Sequence, residues 1–263
     1  MIDWFTNLIY PIQALIATCF TWGITSLGAA VVFLFKRVNK TTLDAMLSVS
    51  AGVMLAATFF SLLMPALEMA TNLNMISWLV VALGILSGSL LLFLGDKIFQ
   101  KVTKNKNITK KKRSLMLISS ITLHNIPEGM AIGVAFGSVF YNLDGATISA
   151  AVLLAIGIGI QNFPEGVAVS LPLKREGLSS KKAFLFGVLS GIVEPFAAVI
   201  GAILVLKIKV LLPILLAFAG GAMLYVVILE LIPESQANKR KNLMAFCTLL
   251  GFIVMMIFDV ALG

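Results

Sequence analysis

The chain has 263 residues, of which 59% are hydrophobic and only 12% charged, and its mean hydropathy is +1.02. An ordinary soluble domain carries about 25% charged residues, so polar surface is too scarce here to coat a water-soluble globule. A soluble enzyme, a secreted disulfide scaffold and a disordered regulator are excluded, and the net charge of +8 needs an explanation other than nucleic acid.

Eight apolar stretches of membrane-crossing length follow one another, at about 12–35, 45–67, 76–95, 114–138, 147–173, 183–206, 210–232 and 243–262. The expectation is an all-α membrane protein of eight transmembrane helices forming one domain over 1–263. No basic segment precedes the first stretch, so no cleavable signal peptide is expected. Cys19 and Cys247 lie inside apolar runs and read as small core residues without a disulfide. Gly84/Gly88, Gly129/Gly133/Gly137 and Gly187/Gly191 recur at four-residue spacing, which gathers small residues on one helix face and lets helices approach closely.

Lysines and arginines set the orientation. With eight spans, all but Lys207 and Lys209 of the 20 fall in loops on one side. Lys36, Arg37 and Lys40 lie in the first such loop, a run over about 97–113 in the second, Lys174, Arg175, Lys181 and Lys182 in the third, and Lys239, Arg240 and Lys241 in the fourth. Positive loops stay in the cytoplasm. Both termini are therefore expected outside it, extracellular or periplasmic, in a multi-pass protein of the cell (plasma or inner) membrane. The basic charge then reflects topology and contact with anionic lipid heads of the bilayer, not nucleic acid.

Of the twelve acids, Asp3, Glu68, Asp144 and Asp259 map to the outer side, where they could concentrate cations as readily as serve as ordinary loop acids. Asp44, Asp96, Glu176, Glu230 and Glu234 map to the cytoplasmic side, where Glu230 and Glu234 could assist release. Glu128, Glu165 and Glu194 sit near the middle of the fourth, fifth and sixth spans, and the only histidine, His124, is in the fourth. A charge at mid-bilayer costs about 2.5–3.5 kcal/mol on insertion scales, so these groups should face the bundle interior and have partners.

Two segments nearly repeat: His124-Asn125-Ile126-Pro127-Glu128-Gly129 and Gln161-Asn162-Phe163-Pro164-Glu165-Gly166. On consecutive antiparallel spans, one motif twice implies a pseudo-two-fold axis in the membrane plane, an inverted repeat of the kind found in transporters. Helical spacing stacks His124 with Glu128 and Gln161 with Glu165, with Asn125 and Asn162 bordering the same face. Pro127 and Pro164 free the carbonyls of Leu123 and Ile160 and are expected to kink the fourth and fifth helices. One imidazole, three carboxylates and the amide oxygens make a mixed N/O donor set suited to Zn²⁺, Fe²⁺ or Mn²⁺. Calcium prefers an all-oxygen shell, and no thiolate is near for Cu(I). A purely structural role, hydrogen bonding between helices, is the weaker reading, because Ser or Asn would serve at lower cost.

The paired motif resembles that of the ZIP (Zrt-, Irt-like) family of divalent metal transporters, in particular its bacterial branch. Similar segments run from Ala17 to Phe35, over Ala51-Gly52-Val53-Met54-Leu55-Ala56-Ala57, and from Gly220 to Ser235. The resemblance implies a single transporter domain with a binuclear metal centre at mid-membrane. One site would use His124, Glu128, Gln161 and Glu165, with Met54 as a soft ligand. The other would use Asn125, Glu128, Asn162, Glu165 and Glu194, the two motif glutamates bridging. Ser61 would lie towards the outer mouth. The resemblance further implies a homodimer in which a moving helix group carries metal inward by alternating access, with zinc the foremost cargo ahead of iron, manganese or cadmium, and no cofactor. This sequence departs from the pattern in having Gln161 where many relatives have His, and Asn162 where some have Asp. Three glutamates balance one divalent ion, whereas two ions would leave an excess positive charge. The absence of any histidine but His124 rules out a His-based metal sensor in the basic loop. No phosphate-binding loop motif is present, so the electrochemical gradient is the simplest driver. Two rivals are a cation/Ca²⁺ exchanger, which would carry more spans and no histidine ligand, and an intramembrane metalloenzyme, which would carry two or three imidazoles where this chain has one.

Overall fold

A computed structural model describes residues 3–34, 39–103, 110–143, 146–175 and 177–262. The described residues are helical throughout, without strands. After a short α1 (Asp3–Thr6) come α2 (Tyr10–Leu34), α3 (Lys40–Ala56), a π-helix (Ala57–Leu63) that passes into α4 (Met64–Asn72), and α5 (Ser77–Thr103). The middle of the chain holds α6 (Lys110–Ser138) and α7 (Ile148–Arg175). Next are α8 (Ser180–Gly191) and α9 (Val193–Lys207), then α10 (Leu211–Val226), a second π-helix (Val227–Leu231), α11 (Ile232–Gln236) and α12 (Lys241–Leu262).

Seven of these units are long and apolar enough to cross a membrane. That count is of the described residues, and the side chains of α6 before Thr122 lie outside them. Both α6 and α7 continue through their motif prolines. Helix α5 runs on to Thr103 and α6 starts at Lys110, so much of the basic 97–113 segment is helical, and Lys104 and Lys106 lie outside the described residues, as do Lys36 and Arg37. The sixth stretch is two helices. Pro195 lacks an N–H and breaks the ladder at Ile192, so Glu194 enters the first turn of α9.

Each π-helix has the same cause. Pro65 and Pro233 remove the N–H that would have bonded to Ser61 and Leu229, and each turn widens until Met64 N bonds to Phe59 O and Ile232 N to Val227 O.

Helix packing falls into four intimate pairs: α2 with α7, α6 with α9, α5 with α10, and α3 with α12. Apolar burial cannot drive helix association in lipid, so close van der Waals contact must, and glycine supplies it. A Cβ at Gly129 would overlap the backbone of Glu194, and one at Gly166 the backbone of Thr25. The outer helices face lipid: α5 and α12 bury 22% and 17% of their spans, against 67% for α7. Their exposed Leu83, Leu86, Leu90, Phe246, Leu249 and Ile253 would be an aggregation surface in water and are an ordinary one in a bilayer. Cys19 and Cys247 are both free, as expected, but Cys19 is exposed and Cys247 half-buried, so neither is the core residue expected of it.

Candidate metal centre

The two motifs meet inside the bundle. Gln161 Nε2 donates to Glu128 Oε1 at 2.5 Å, joining α7 to α6 directly. Glu128, Asn125, Gln161, Asn162 and Glu194 are fully buried, and His124 and Glu165 nearly so. The glycine after each motif glutamate seats its helix: Gly129 on α9 beside Glu194, Gly166 on α2 one turn from Thr21.

Five of the expected ligands each present a buried oxygen without a hydrogen-bond partner among the described residues: Asn125 Oδ1, Glu128 Oε2, Gln161 Oε1, Asn162 Oδ1 and Glu165 Oε2. Leaving such an atom unpaired costs about 1–3 kcal/mol, more for a charged group. Five such atoms on two helices joined by the Gln161–Glu128 bond, with His124 one turn before Glu128, suit a donor set short of a ligand. Among the described residues no three His, Cys, Asp or Glu side chains are grouped to hold an ion by themselves, so the amides would have to take part. Met54 is fully buried, one turn beyond Ser50, whose Oγ donates to the Gln161 carbonyl at 3.3 Å, so its helix face is turned towards α7.

Glu194 differs from the other carboxylates. Thr21 Oγ1 donates to its Oε2 at 2.5 Å, and Asn162 Nδ2 lies 3.0 Å from both of its oxygens. Asn125 instead donates from its amide to the Ser190 carbonyl at 2.8 Å.

Two residues were undervalued in the sequence. Glu230, which was assigned to the release side, has Oε1 3.6 Å from His124 Nε2. Its location in the second π-helix, which rotates its side chain off the α-helical register, is what the spacing could not show. Thr21 was not singled out, although the buried Thr18, Thr21 and Thr25 make a polar stripe at helical spacing on α2. Ser61 donates to Asp259 Oδ1 at 2.5 Å, and both line a cavity of about 210 Å³ with Glu68, Thr147 and Ser138. Of the other outer acids, Asp144 and the side chain of Asp3 lie outside the described residues.

Residues 103–259 match the family described as ZIP zinc transporter. The zinc transporter ZIP11 of Xenopus tropicalis is 37% identical, with all of both chains covered. The chain belongs to the ZIP zinc transporter family. Bacterial ZIP relatives include the zinc transporter GufA of Myxococcus xanthus, 33% identical over 95% of this chain and 98% of its own. The zinc transporter ZIPB of Bordetella bronchiseptica is 34% identical over 98% and 84%. The matched region contains both motifs, Glu194 and Glu230.

Proposed function

We propose that this ZIP protein carries divalent transition metals, zinc foremost, across the membrane towards the cytoplasm through a site formed by His124, Glu128, Gln161 and Glu165, with Met54 alongside. The observation that carries this reading is the cluster of unpartnered buried oxygens on the two motif helices. Asn125, Asn162 and Glu194 form the adjoining half of the polar centre. The chain is a transporter and not an enzyme, and its family membership decides against the exchanger reading.

The whole chain is one domain of eight membrane crossings, α6 being the eighth, related in two halves by an inverted repeat with the motif prolines bending α6 and α7. The pairing of helices supports this. A two-fold exchange of the first three spans with the last three, and of the fourth with the fifth, turns the α2–α7 pair into α6–α9 and the α3–α12 pair into α5–α10, and superposes one π-helix on the other. Metal enters past Glu68, Ser61 and Asp259 and leaves past Glu230 and Glu234. The protein resides in the cell membrane with both termini outside the cytoplasm and works as a homodimer, as the family resemblance implies. An inside-negative potential favours inward movement by about 2.3 kcal/mol per charge per 100 mV, twice that for a divalent ion.

The test is uptake into proteoliposomes of purified protein with Zn²⁺, Cd²⁺, Fe²⁺, Mn²⁺ and Ca²⁺. Zinc should enter without ATP and calcium should not. Calcium uptake exceeding that of zinc would overturn the assignment.

A further inference from the structure

The resemblance implies two metal positions, the second drawing on Glu194. The hydrogen bonds around Glu194 point elsewhere. Of the six oxygen-bearing side chains in the expected ligand set, five keep a buried oxygen free and Glu194 alone does not. Its oxygens are taken by the Thr21 hydroxyl from α2 and the Asn162 amide from α7. Four further features suit a carboxylate satisfied by the protein. Glu194 is in the first turn of α9, where the helix N-terminus favours negative charge. Gly191, just before the helix break, leaves room for it: a Cβ there would come within 3.2 Å of Glu194 Oε1. Trp22, next to Thr21, donates from Nε1 to the Val188 carbonyl at 2.8 Å and fixes α2 against α8, so the donor is held in register. Finally, Asn162 turns its Nδ2 towards Glu194 and leaves its Oδ1 unpartnered with the other free oxygens.

We propose that Thr21 and Asn162 clamp Glu194 out of coordination, so that this chain carries one divalent cation at its motif centre, neutralised by Glu128 and Glu165, with the Asn162 amide occupying the place of a second ion. Thr21 is thereby a positioning residue. It keeps a third carboxylate off the cargo, and cargo held by fewer charges is released more readily. The proposal rests on the motif residues being the transport site.

The experiment is equilibrium zinc binding to the purified full chain, counting only the zinc that Glu165→Ala abolishes, together with zinc uptake. The wild type should hold one zinc per chain. Glu194→Gln should also hold one, with affinity lowered by no more than about tenfold, the effect of a group that supports ligands without bonding the ion. Asn162→Asp should hold two, because the donor becomes an anionic acceptor and the carboxylates then balance two ions. Thr21→Val should bind zinc more tightly and transport it more slowly, as Glu194 becomes free to join the ion, and Thr21→Ser should restore both values. A purely structural role for Thr21 would weaken binding, not tighten it. Two zinc ions in the wild type, a loss above tenfold in Glu194→Gln, one ion in Asn162→Asp, or unchanged or weakened binding in Thr21→Val would each overturn the clamp. Zinc retained undiminished by Glu165→Ala would overturn the site assignment itself, and so is distinguishable from all of these.

Discussion

Gln161 donates to one oxygen of Glu128 and keeps its own amide oxygen free, so in the proposed site it is both a tether and a neutral donor. Its removal should cost less than the loss of a carboxylate, because water can replace an amide oxygen but not a charge. Gln161→Ala is expected to reduce zinc uptake by about tenfold, the range typical of supporting groups around a metal, and Gln161→His to keep or tighten zinc binding by adding an imidazole. Uptake into proteoliposomes measures the first, and titration of zinc into the purified variant the second. If His124 and the glutamates ligate as proposed, protons compete with metal for them and affinity falls as pH falls. With free imidazole near 6.5 and free glutamate near 4.3 as reference points, zinc binding measured from about pH 7.5 down to 4.5 should weaken progressively. A flat profile would contradict imidazole and carboxylate ligation. At this scale the sequence was readable where a motif was repeated: the two motif helices do meet, Gln161 donating to Glu128. It was unreadable where one atom's aim decides the role. Nothing in the spacing says that Asn162 presents its nitrogen to Glu194 while Asn125 turns its own to Ser190.

At the scale of elements, small-residue faces predicted from four-residue spacing are where helices touch. Gly84 and Gly88 meet α10, and Gly129, Gly133 and Gly137 meet α9. Side-chain volume tests this. Gly129→Ala and Gly166→Ala should lower the unfolding temperature of the detergent-purified protein, since the added methyl meets backbone that cannot yield; overpacking costs about 1–3 kcal/mol. Gly23→Ala on α2, with open space around it, should leave that temperature unchanged or raise it, helix propensity favouring alanine by about 0.5–1 kcal/mol. Destabilisation by Gly23→Ala equal to that of Gly129→Ala would show that backbone freedom and not close contact is what these glycines supply. Helix positions were legible because hydropathy marks them, but their lengths were not, α5 running on to Thr103 past its apolar stretch. The π-turns were not, because apolar periodicity blurs over a single inserted residue; the only signs of them were Pro65 and Pro233. The break at Ile192 had a similar sign in Pro195, and it matters more, because it delivers Glu194 to a helix N-terminus.

Across the whole molecule, charge asymmetry and helix pairing make separate predictions. In a chain with Cys19 and Cys247 replaced by serine, Lys106→Cys should react with an impermeant thiol reagent only after the membrane is opened; labelling in intact cells would reverse the orientation. The pairing of α2 with α7 and α6 with α9 brings the two motif helices, the clamp on α2 and the carboxylate of α9 into one buried centre. That convergence brings together the helices whose unpartnered buried oxygens are the basis for reading the centre as the transport site. It is tested most directly by zinc uptake into proteoliposomes reconstituted with equal amounts of wild type, Glu128→Ala, Glu165→Ala and Gln161→Ala. Uptake should fall to background in both glutamate variants, with the proteins still folded, and persist at a reduced rate in Gln161→Ala. Zinc uptake that survives in Glu165→Ala at the wild-type rate would mean that the metal crosses elsewhere.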